Sequence, residues 1–140
     1  MGLGMKTFAY SLILTIAATV GGQAWAEEAQ SAIMAGAPVF VETYNASDGA
    51  ALAAFYTEDA ALLPPGGARV NGREAIAAFW QGAMDSGLVI NSLTPTEIMQ
   101  SGDQAVDVGT ISLSAPDGSG GMVELSAKYT VMWKQDSECV

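Results

Sequence analysis

The sequence has 140 residues, half of them apolar, which fits one ordinary domain and excludes a disordered chain. Fifteen acidic and five basic side chains give a net charge of −10, which argues against nucleic acid because phosphates need a basic surface. The chain contains no His and one Cys, so His-dependent catalytic triads, His-ligated metals and internal disulfides are excluded. We expect no metal and no other cofactor.

The N-terminal segment over 1–26 has the pattern of a secretory signal peptide. Lys6 precedes an apolar run over Phe8–Val20, which is shorter than the roughly 20 residues that a membrane-spanning helix needs. Ala24 and Ala26 are small residues at the two positions that signal peptidase reads. The alternative is an uncleaved membrane anchor. We expect cleavage after Ala26, a periplasmic or secreted protein, and no stable membrane anchor after cleavage.

The mature chain, over 27–140, begins with a helical pattern. Apolar residues recur at helical spacing from Ile33 to Tyr44. Pro38 lies inside this pattern, and a proline is tolerated only in the first turn of a helix or at a kink. We therefore expect the regular helix to start near Gly36.

Two more helices are predicted further along the chain. Ser47-Asp48 offers an N-cap for a helix over Ala50–Tyr56. Asn71, with Glu74 three residues later, resembles a capping box for a third helix, and Gly87 is the expected end of that helix.

From Leu88 the apolar period changes to two, which predicts strands over Val89–Gln100, Gln104–Ser114 and Met122–Lys134. The last strand alternates most clearly, with an apolar set on one face and a more polar set on the other. Three helices followed by successive hairpin strands predict an α+β domain, with the helices on one side of an antiparallel sheet.

Several short motifs occur in a fixed order at close spacing. They are Tyr44-Asn45-Ala46-Ser47-Asp48, Phe55-Tyr56-Thr57-Glu58-Asp59-Ala60, Pro64-Pro65-Gly66, Asn71-Gly72-Arg73-Glu74-Ala75-Ile76, Gly102-Asp103-Gln104-Ala105 and Lys128-Tyr129-Thr130-Val131-Met132-Trp133-Lys134. This order resembles the nuclear transport factor 2-like superfamily, in its SnoaL-like and ketosteroid-isomerase-like branch. The resemblance implies a curved antiparallel sheet wrapped around three helices as a cone with an apolar pocket, often in a homodimer.

The chain departs from the steroid isomerases that it resembles. The resemblance places their general-base Asp at Pro64, their oxyanion-holding Tyr at Phe40 and a further Asp near Ala127. Because none of these residues can perform those roles, ordinary ketosteroid isomerase chemistry is not expected. Relatives also continue after the strand that ends at Lys134 into a final strand, so we expect a C-terminally short domain with one strand missing.

Glu97 and Asp107 are the candidate catalytic carboxylates. A three-residue turn over Ser101–Asp103 would pair them across two strands. Two carboxylates facing each other in an apolar cone would raise one pKa, as general acid–base catalysis requires. The alternative is that both point outward into water, because a shift of one residue changes the face.

Six aromatic residues are the candidate lining of a ligand pocket: Phe40, Tyr44, Tyr56, Trp80, Tyr129 and Trp133. Such rings can hold a flat apolar ligand, while phenol hydroxyls set its orientation. The alternative is ordinary core packing, which produces the same helical spacing.

Three functions fit this sequence. The first is a secreted module that binds a small apolar molecule in the cone. The second is an isomerase- or cyclase-type enzyme that uses a pocket carboxylate, and a buried carboxylate beside Tyr129 would favour it. The third is a dimerisation module without a ligand.

Overall fold

The computed structural model describes residues 27–135, so the predicted signal peptide and Cys139 lie outside the described residues. No helix within that range is long and apolar enough to cross a membrane. The elements, in chain order, are α1 (27–45), α2 (Gly49–Ala53), β1 (Ala61–Leu62), β2 (Val70–Asn71), α3 (Arg73–Asp85), β3 (Val89–Ser101), β4 (Gln104–Pro116) and β5 (Met122–Lys134).

Helix α1 is already helical at residue 27 and continues through Pro38, so the predicted start near Gly36 is wrong. Ile33 and Ala37 lie one turn apart and are both buried. Burial of this apolar face stabilises the helix on both sides of Pro38, which lacks an N–H donor and whose ring faces solvent.

Helix α2 begins as predicted but ends earlier. Asp48 is its N-cap, and the Oδ1 atom of Asp48 accepts a hydrogen bond from the Ala51 N–H at 2.9 Å. The helix ends at Ala53 instead of Tyr56, and the chain continues there as turns.

Helix α3 is not capped by Asn71, so that prediction is wrong. Gly72 occupies the N-cap position with φ 86°, a conformation that favours glycine, and no side chain caps the helix. The side chain of Asn71 instead accepts a hydrogen bond from Arg69 Nε at 2.7 Å. The helix ends before Gly87, whose φ of 83° allows the reversal into β3.

The three long strands form an antiparallel sheet in the order β3–β4–β5, while β1 and β2 form a separate two-stranded sheet. Strand β4 pairs with β5 without interruption, from Gln104 opposite Lys134 to Pro116 opposite Met122. Within residues 27–135 no strand pairs with the other edge of β5.

The turn between β4 and β5 is held by one carboxylate. Asp117 Oδ1 accepts hydrogen bonds from Ser119 N at 2.8 Å, from Ser119 Oγ at 2.8 Å and from Gly121 N at 3.0 Å. These hydrogen bonds lower the pKa of Asp117. The turn therefore closes through groups that lie within five residues of one another.

The hydrophobic core joins the helices to the sheet. Tyr44, Leu52, Met84 and Ile90 form its buried centre, and Leu113 of β4 packs against it. The predicted α+β class, with helices against one face of an antiparallel sheet, is confirmed.

Candidate functional site

Four of the six candidate pocket aromatics lie together among the helices, and we call Phe40, Tyr44, Tyr56 and Trp80 the helix aromatic cluster. Trp80 meets Phe40 and Tyr44 edge to face, with ring centroids 5.9 and 5.7 Å apart. The indole N–H of Trp80 donates to Tyr56 Oη at 3.1 Å, and the Tyr44 hydroxyl donates to the Leu88 carbonyl at 3.0 Å. The rings of this cluster pack against one another, and their polar atoms have partners within the protein.

The other two aromatics, Tyr129 and Trp133, lie on β5 beside Asp107 of β4. We call these three residues the β4–β5 carboxylate site. Asp107 is the one charged residue among the fully buried side chains of residues 27–135, with 2% exposure. The Tyr129 hydroxyl lies 3.3 Å from each carboxylate oxygen of Asp107, so a phenol faces a buried carboxylate.

Strand register explains this arrangement. Asp107 pairs with Val131, and the two aromatic rings are the diagonal neighbours of Asp107, since Tyr129 pairs with Gly109 and Trp133 pairs with Ala105. All of these side chains therefore share the inner face of the sheet.

Gly109 makes room for the phenol. A Cβ atom at this position would collide with the Tyr129 hydroxyl and with the Thr94 carbonyl oxygen. Because Gly109 has no side chain, the Tyr129 ring can lie across β4 with its hydroxyl next to Asp107. A glycine in the middle of a strand often marks such a close approach.

The electrostatics of the site come mainly from burial. Burial raises the pKa of Asp107, while the Trp133 N–H and the Tyr129 hydroxyl partly lower it again. Burial and the adjacent Asp107 charge strongly raise the pKa of Tyr129. Among residues 27–135 the one ion pair joins Arg73 to Glu58, so no cation neutralises Asp107.

The indole nitrogen of Trp133 is the least satisfied polar atom of the site. It is buried and meets no acceptor in hydrogen-bond geometry, although it faces Asp107 closely enough to lower the carboxyl pKa. The site thus contains a donor that could still turn to an acceptor on a ligand.

The predicted pairing of Glu97 with Asp107 is wrong. The turn between β3 and β4 is tighter than expected, with Ser101 opposite Gln104, so Ile98 pairs with Asp107. Glu97 pairs with Val108 on the opposite face and is exposed. One residue of register separates the two faces of a strand, and it takes Glu97 away from the site.

A cavity of about 250 Å³ lies next to the site, between the start of α1 and the end of the β4–β5 hairpin. Its wall includes Ala105 and Trp133, which lie on the same sheet face as Asp107, and Ile33 from α1. Glu28 and Lys134 also line the cavity. The lining is largely apolar, and Trp133 is the one member of the β4–β5 carboxylate site that belongs to it.

A wider depression of about 560 Å³ lies at the start of α3, where Glu58, Arg73 and Glu74 line it. Glu58 and Arg73 already pair with each other at 2.5 Å, and no side chain of the carboxylate site lines this depression. In the described part of the chain, no group of three or more Asp, Glu, His or Cys side chains is placed to hold a metal ion.

The SnoaL-like domain family matches residues 39–136. The chain belongs to this family. No curated protein matches the chain.

Solved structures show the same fold for this SnoaL-like domain. A nuclear transport factor 2-like protein with a cystatin-like fold from Novosphingobium aromaticivorans is 19% identical, with a TM-score of 0.67 over 98% of this chain and 84% of that chain. A ketosteroid isomerase-like protein from Erwinia carotovora atroseptica is 18% identical, with a TM-score of 0.62 over 76% and 84% of the two chains. A protein with a ketosteroid isomerase-like fold from Catenulispora acidiphila, in complex with trimethylamine, is 16% identical, with a TM-score of 0.51 over 71% and 74%.

Sequence reasoning missed Gly109 in the SnoaL-like domain, although its position inside a strand was a signal of close approach. It also left the face of Asp107 open. Alternate residues of a strand share a face, and Asp107 alternates with the apolar residues Ala105 and Ile111 along β4. This pattern could have placed the carboxylate on the inner face.

Proposed function

We propose that this SnoaL-like domain binds a small, largely apolar molecule beside the inner face of β4 and β5, and that Asp107 exchanges a proton with it. The observation that carries the proposal is the buried Asp107 carboxylate, which has Tyr129 against both oxygens and pairs with no cation among residues 27–135. A raised pKa makes the ionised carboxylate a stronger base. It also keeps the carboxyl group protonated up to a higher pH, so that the group has a proton to donate.

Tyr129 supports this proton transfer through its hydroxyl. In the resting site the hydroxyl donates to Asp107. When Asp107 takes a proton from a carbon–hydrogen bond of the ligand, its negative charge disappears and this hydrogen bond weakens. The hydroxyl is then free to donate to an oxygen of the ligand on which charge develops.

The family's steroid isomerase chemistry is a poor fit to the other residues. Pro64 lies in the loop between β1 and β2, and Phe40 packs in the helix aromatic cluster. Ala127 lies on β5 opposite Ile111. None of these three side chains can transfer a proton, and we assign the acid–base role to the buried Asp107 instead.

The test is deuterium exchange into a panel of small enolisable ketones in D₂O, followed by proton NMR. We expect the wild-type protein to accelerate loss of the α-proton signal and Asp107→Asn to reduce that rate by about 100-fold or more. Glu97→Gln is the matched control, because it removes an exposed carboxylate on the opposite face. Exchange that survives Asp107→Asn would contradict the proposal.

Binding without catalysis is a second candidate, which the largely apolar cavity next to Trp133 favours. Saturable quenching of tryptophan fluorescence by a panel member, with no wild-type exchange above background, would establish this binding module instead of the enzyme. A Δ5-3-ketosteroid belongs in the same panel, and we expect no isomerisation of it above background.

We also propose that the protein is exported and cleaved after Ala26, since Ala24 and Ala26 fit a signal peptidase site. Intact-mass measurement of periplasmic or secreted material should show a chain that begins at Glu27. Recovery of the full-length chain from the cytosol alone would contradict this.

A further inference from the structure

The cavity and the β4–β5 carboxylate site meet at one residue. Of the three residues of the site, Trp133 alone lines the cavity, together with Ala105, its pairing partner on β4. Asp107 lies one step further along the same face of the sheet, and Tyr129 lies beyond it, opposite Gly109. A molecule that enters through the cavity therefore meets the indole of Trp133 before it reaches the carboxylate.

The indole N–H of Trp133 is the polar group at this junction whose hydrogen bonding is incomplete. Its nitrogen is buried and meets no acceptor in hydrogen-bond geometry among residues 27–135, although it faces Asp107 closely enough to lower the pKa of that carboxyl. The same group of Trp80 donates to Tyr56 Oη at 3.1 Å. A buried donor without an acceptor lowers stability, so it calls for an explanation in a native fold.

A bound molecule would supply the missing acceptor. The cavity wall beside the indole is apolar, with Ile33 and Ala105 among its members. Rotation about the soft χ2 torsion of Trp133 would turn its N–H from Asp107 toward the cavity. Asp107 would still have the Tyr129 hydroxyl 3.3 Å from each oxygen. The rotation therefore replaces an incomplete hydrogen bond with a complete one and leaves the carboxylate with a partner.

The charge of Asp107 restricts the chemistry of that acceptor. The carboxylate pairs with no cation among residues 27–135, so an anionic oxygen brought beside it would be repelled. Glu28 and Lys134 both line the cavity and contribute one charge of each sign, which does not favour an anion. A hydrocarbon would leave the N–H buried without an acceptor. A neutral carbonyl oxygen avoids both costs.

We propose that the Trp133 N–H donates a hydrogen bond to the carbonyl oxygen of a small neutral molecule, and thereby selects it over hydrocarbons and carboxylate anions of the same shape. This inference rests on the proposed function for the position of the ligand, but it concerns recognition and requires no proton transfer. Trp133 acts on the molecule as it binds, whereas Tyr129 donates to it only as charge develops.

The experiment uses planar molecules of one size: acetophenone with a carbonyl oxygen, α-methylstyrene with a methylene group in its place, and benzoate with a carboxylate. Each is titrated into nitrogen-15-labelled protein, and proton–nitrogen correlation spectra follow the indole N–H resonances. The resonance lost in Trp133→Phe identifies Trp133. Acetophenone should move this resonance downfield in a saturable manner. The Trp80 resonance is the internal control and should stay in place, because its N–H already has an acceptor.

Amide shifts in the same spectra give the affinities. Acetophenone should bind the wild type about tenfold more tightly than α-methylstyrene, because its oxygen satisfies the buried donor. Trp133→Phe should reduce this ratio to less than about twofold, and Trp80→Phe, the matched control, should keep it. Benzoate should bind about tenfold more weakly than acetophenone, and Asp107→Asn should relieve only that discrimination. Circular dichroism identifies the folded variants, and the wild-type shift requires none.

Deuterium exchange of the acetophenone methyl protons in the same samples tests the proposed function separately. A Trp133 shift without exchange supports this inference and contradicts proton transfer by Asp107. Exchange without a Trp133 shift supports proton transfer and overturns this inference. Equal affinity for acetophenone and α-methylstyrene, a preference that survives Trp133→Phe, or no binding of acetophenone at millimolar concentration would also overturn it.

Discussion

The helix aromatic cluster and the β4–β5 carboxylate site are both built from aromatic rings with polar atoms, but they leave those atoms in different states. In the cluster, Trp80 N–H and the Tyr44 hydroxyl each have a good acceptor within the protein. In the carboxylate site, the described part of the chain gives buried Asp107 no cation and gives Trp133 N–H no acceptor in hydrogen-bond geometry. The helix aromatic cluster is therefore a satisfied core, whereas the carboxylate site is a buried, incompletely satisfied group that reaches the adjacent cavity through Trp133.

This difference separates stability from function. A ring whose polar atom already has a hydrogen-bond partner contributes only to packing. A buried polar group without a full set of partners costs stability, and the rest of the fold must offset that cost. Perturbed ionisable groups in a cleft are typical of functional sites. We therefore expect substitutions among the helices to lower stability and leave activity unchanged. Substitutions in the carboxylate site should lower activity.

The largest stability effect is expected from Leu52→Ala, within the core that includes Tyr44. Leu52 is fully buried, so its truncation removes apolar contacts and leaves a cavity. The free energy of unfolding should fall by about 3 kcal/mol, measured by urea denaturation. Proton exchange per folded molecule should not change. Leu63→Ala, at a 73% exposed residue, is the control and should change stability by less than about 0.5 kcal/mol.

Gly109→Ala should affect stability and activity together. The added methyl group would collide with the Tyr129 hydroxyl and with the rigid Thr94 carbonyl, so we expect a loss of about 2 kcal/mol and slower exchange. Gly82→Ala is the matched control, because, apart from the adjoining residues and the backbone of α3 itself, no atom lies within 4 Å of the new methyl group. That control should gain about 0.5–1 kcal/mol. An equally stable Gly109→Ala protein with unchanged exchange would show that Tyr129 does not need this space.

A pair of Tyr→Phe variants should separate the two regions most directly. Tyr44→Phe removes a buried hydrogen bond to Leu88 and should cost about 1 kcal/mol of stability with no loss of exchange activity. Tyr129→Phe removes only the long contacts to Asp107, so it should change stability less and slow exchange more. The reverse pattern would make Tyr129 a structural residue.

The smallest effect concerns pH. Because burial raises the pKa of Asp107 above its ordinary value of 3.8, the folded state holds the proton more tightly than the unfolded state does. The contribution of Asp107 to stability is therefore greatest below pH 3.8 and declines as the pH rises through the raised folded pKa. Asp107→Asn lacks this decline, so its stability relative to the wild type should increase with pH over that window and then level off. A constant difference from pH 3 to pH 7 would contradict a buried, destabilised carboxylate.

Much of the fold could be predicted because patterning and caps are local signals. The alternation of β5 fixed its face, and Asp48 marked the start of α2. Two local signals were overridden by their surroundings. Pro38 did not end α1, because Ile33 and Ala37 continue the buried stripe, and Asn71 joined β2 instead of capping α3.

The site was harder to predict because it depends on register. Glu97 and Asp107 were equivalent candidates in the sequence, and one residue in the β3–β4 turn decided which of them faces inward. The six aromatics shared one pattern, and only three-dimensional packing could divide them between the helices and the sheet. Pairing across strands is a non-local property, so composition and spacing do not determine it.

The turn at Asp117 has a consequence for the order of assembly during folding. Its hydrogen bonds join residues that are near neighbours in the chain, so the loop closes at little entropic cost, and the β4–β5 ladder can extend from it pair by pair. Asp107 and Tyr129 both belong to this hairpin. The two groups proposed to move the proton can therefore meet early on the folding pathway, before the helices dock and shield them from water.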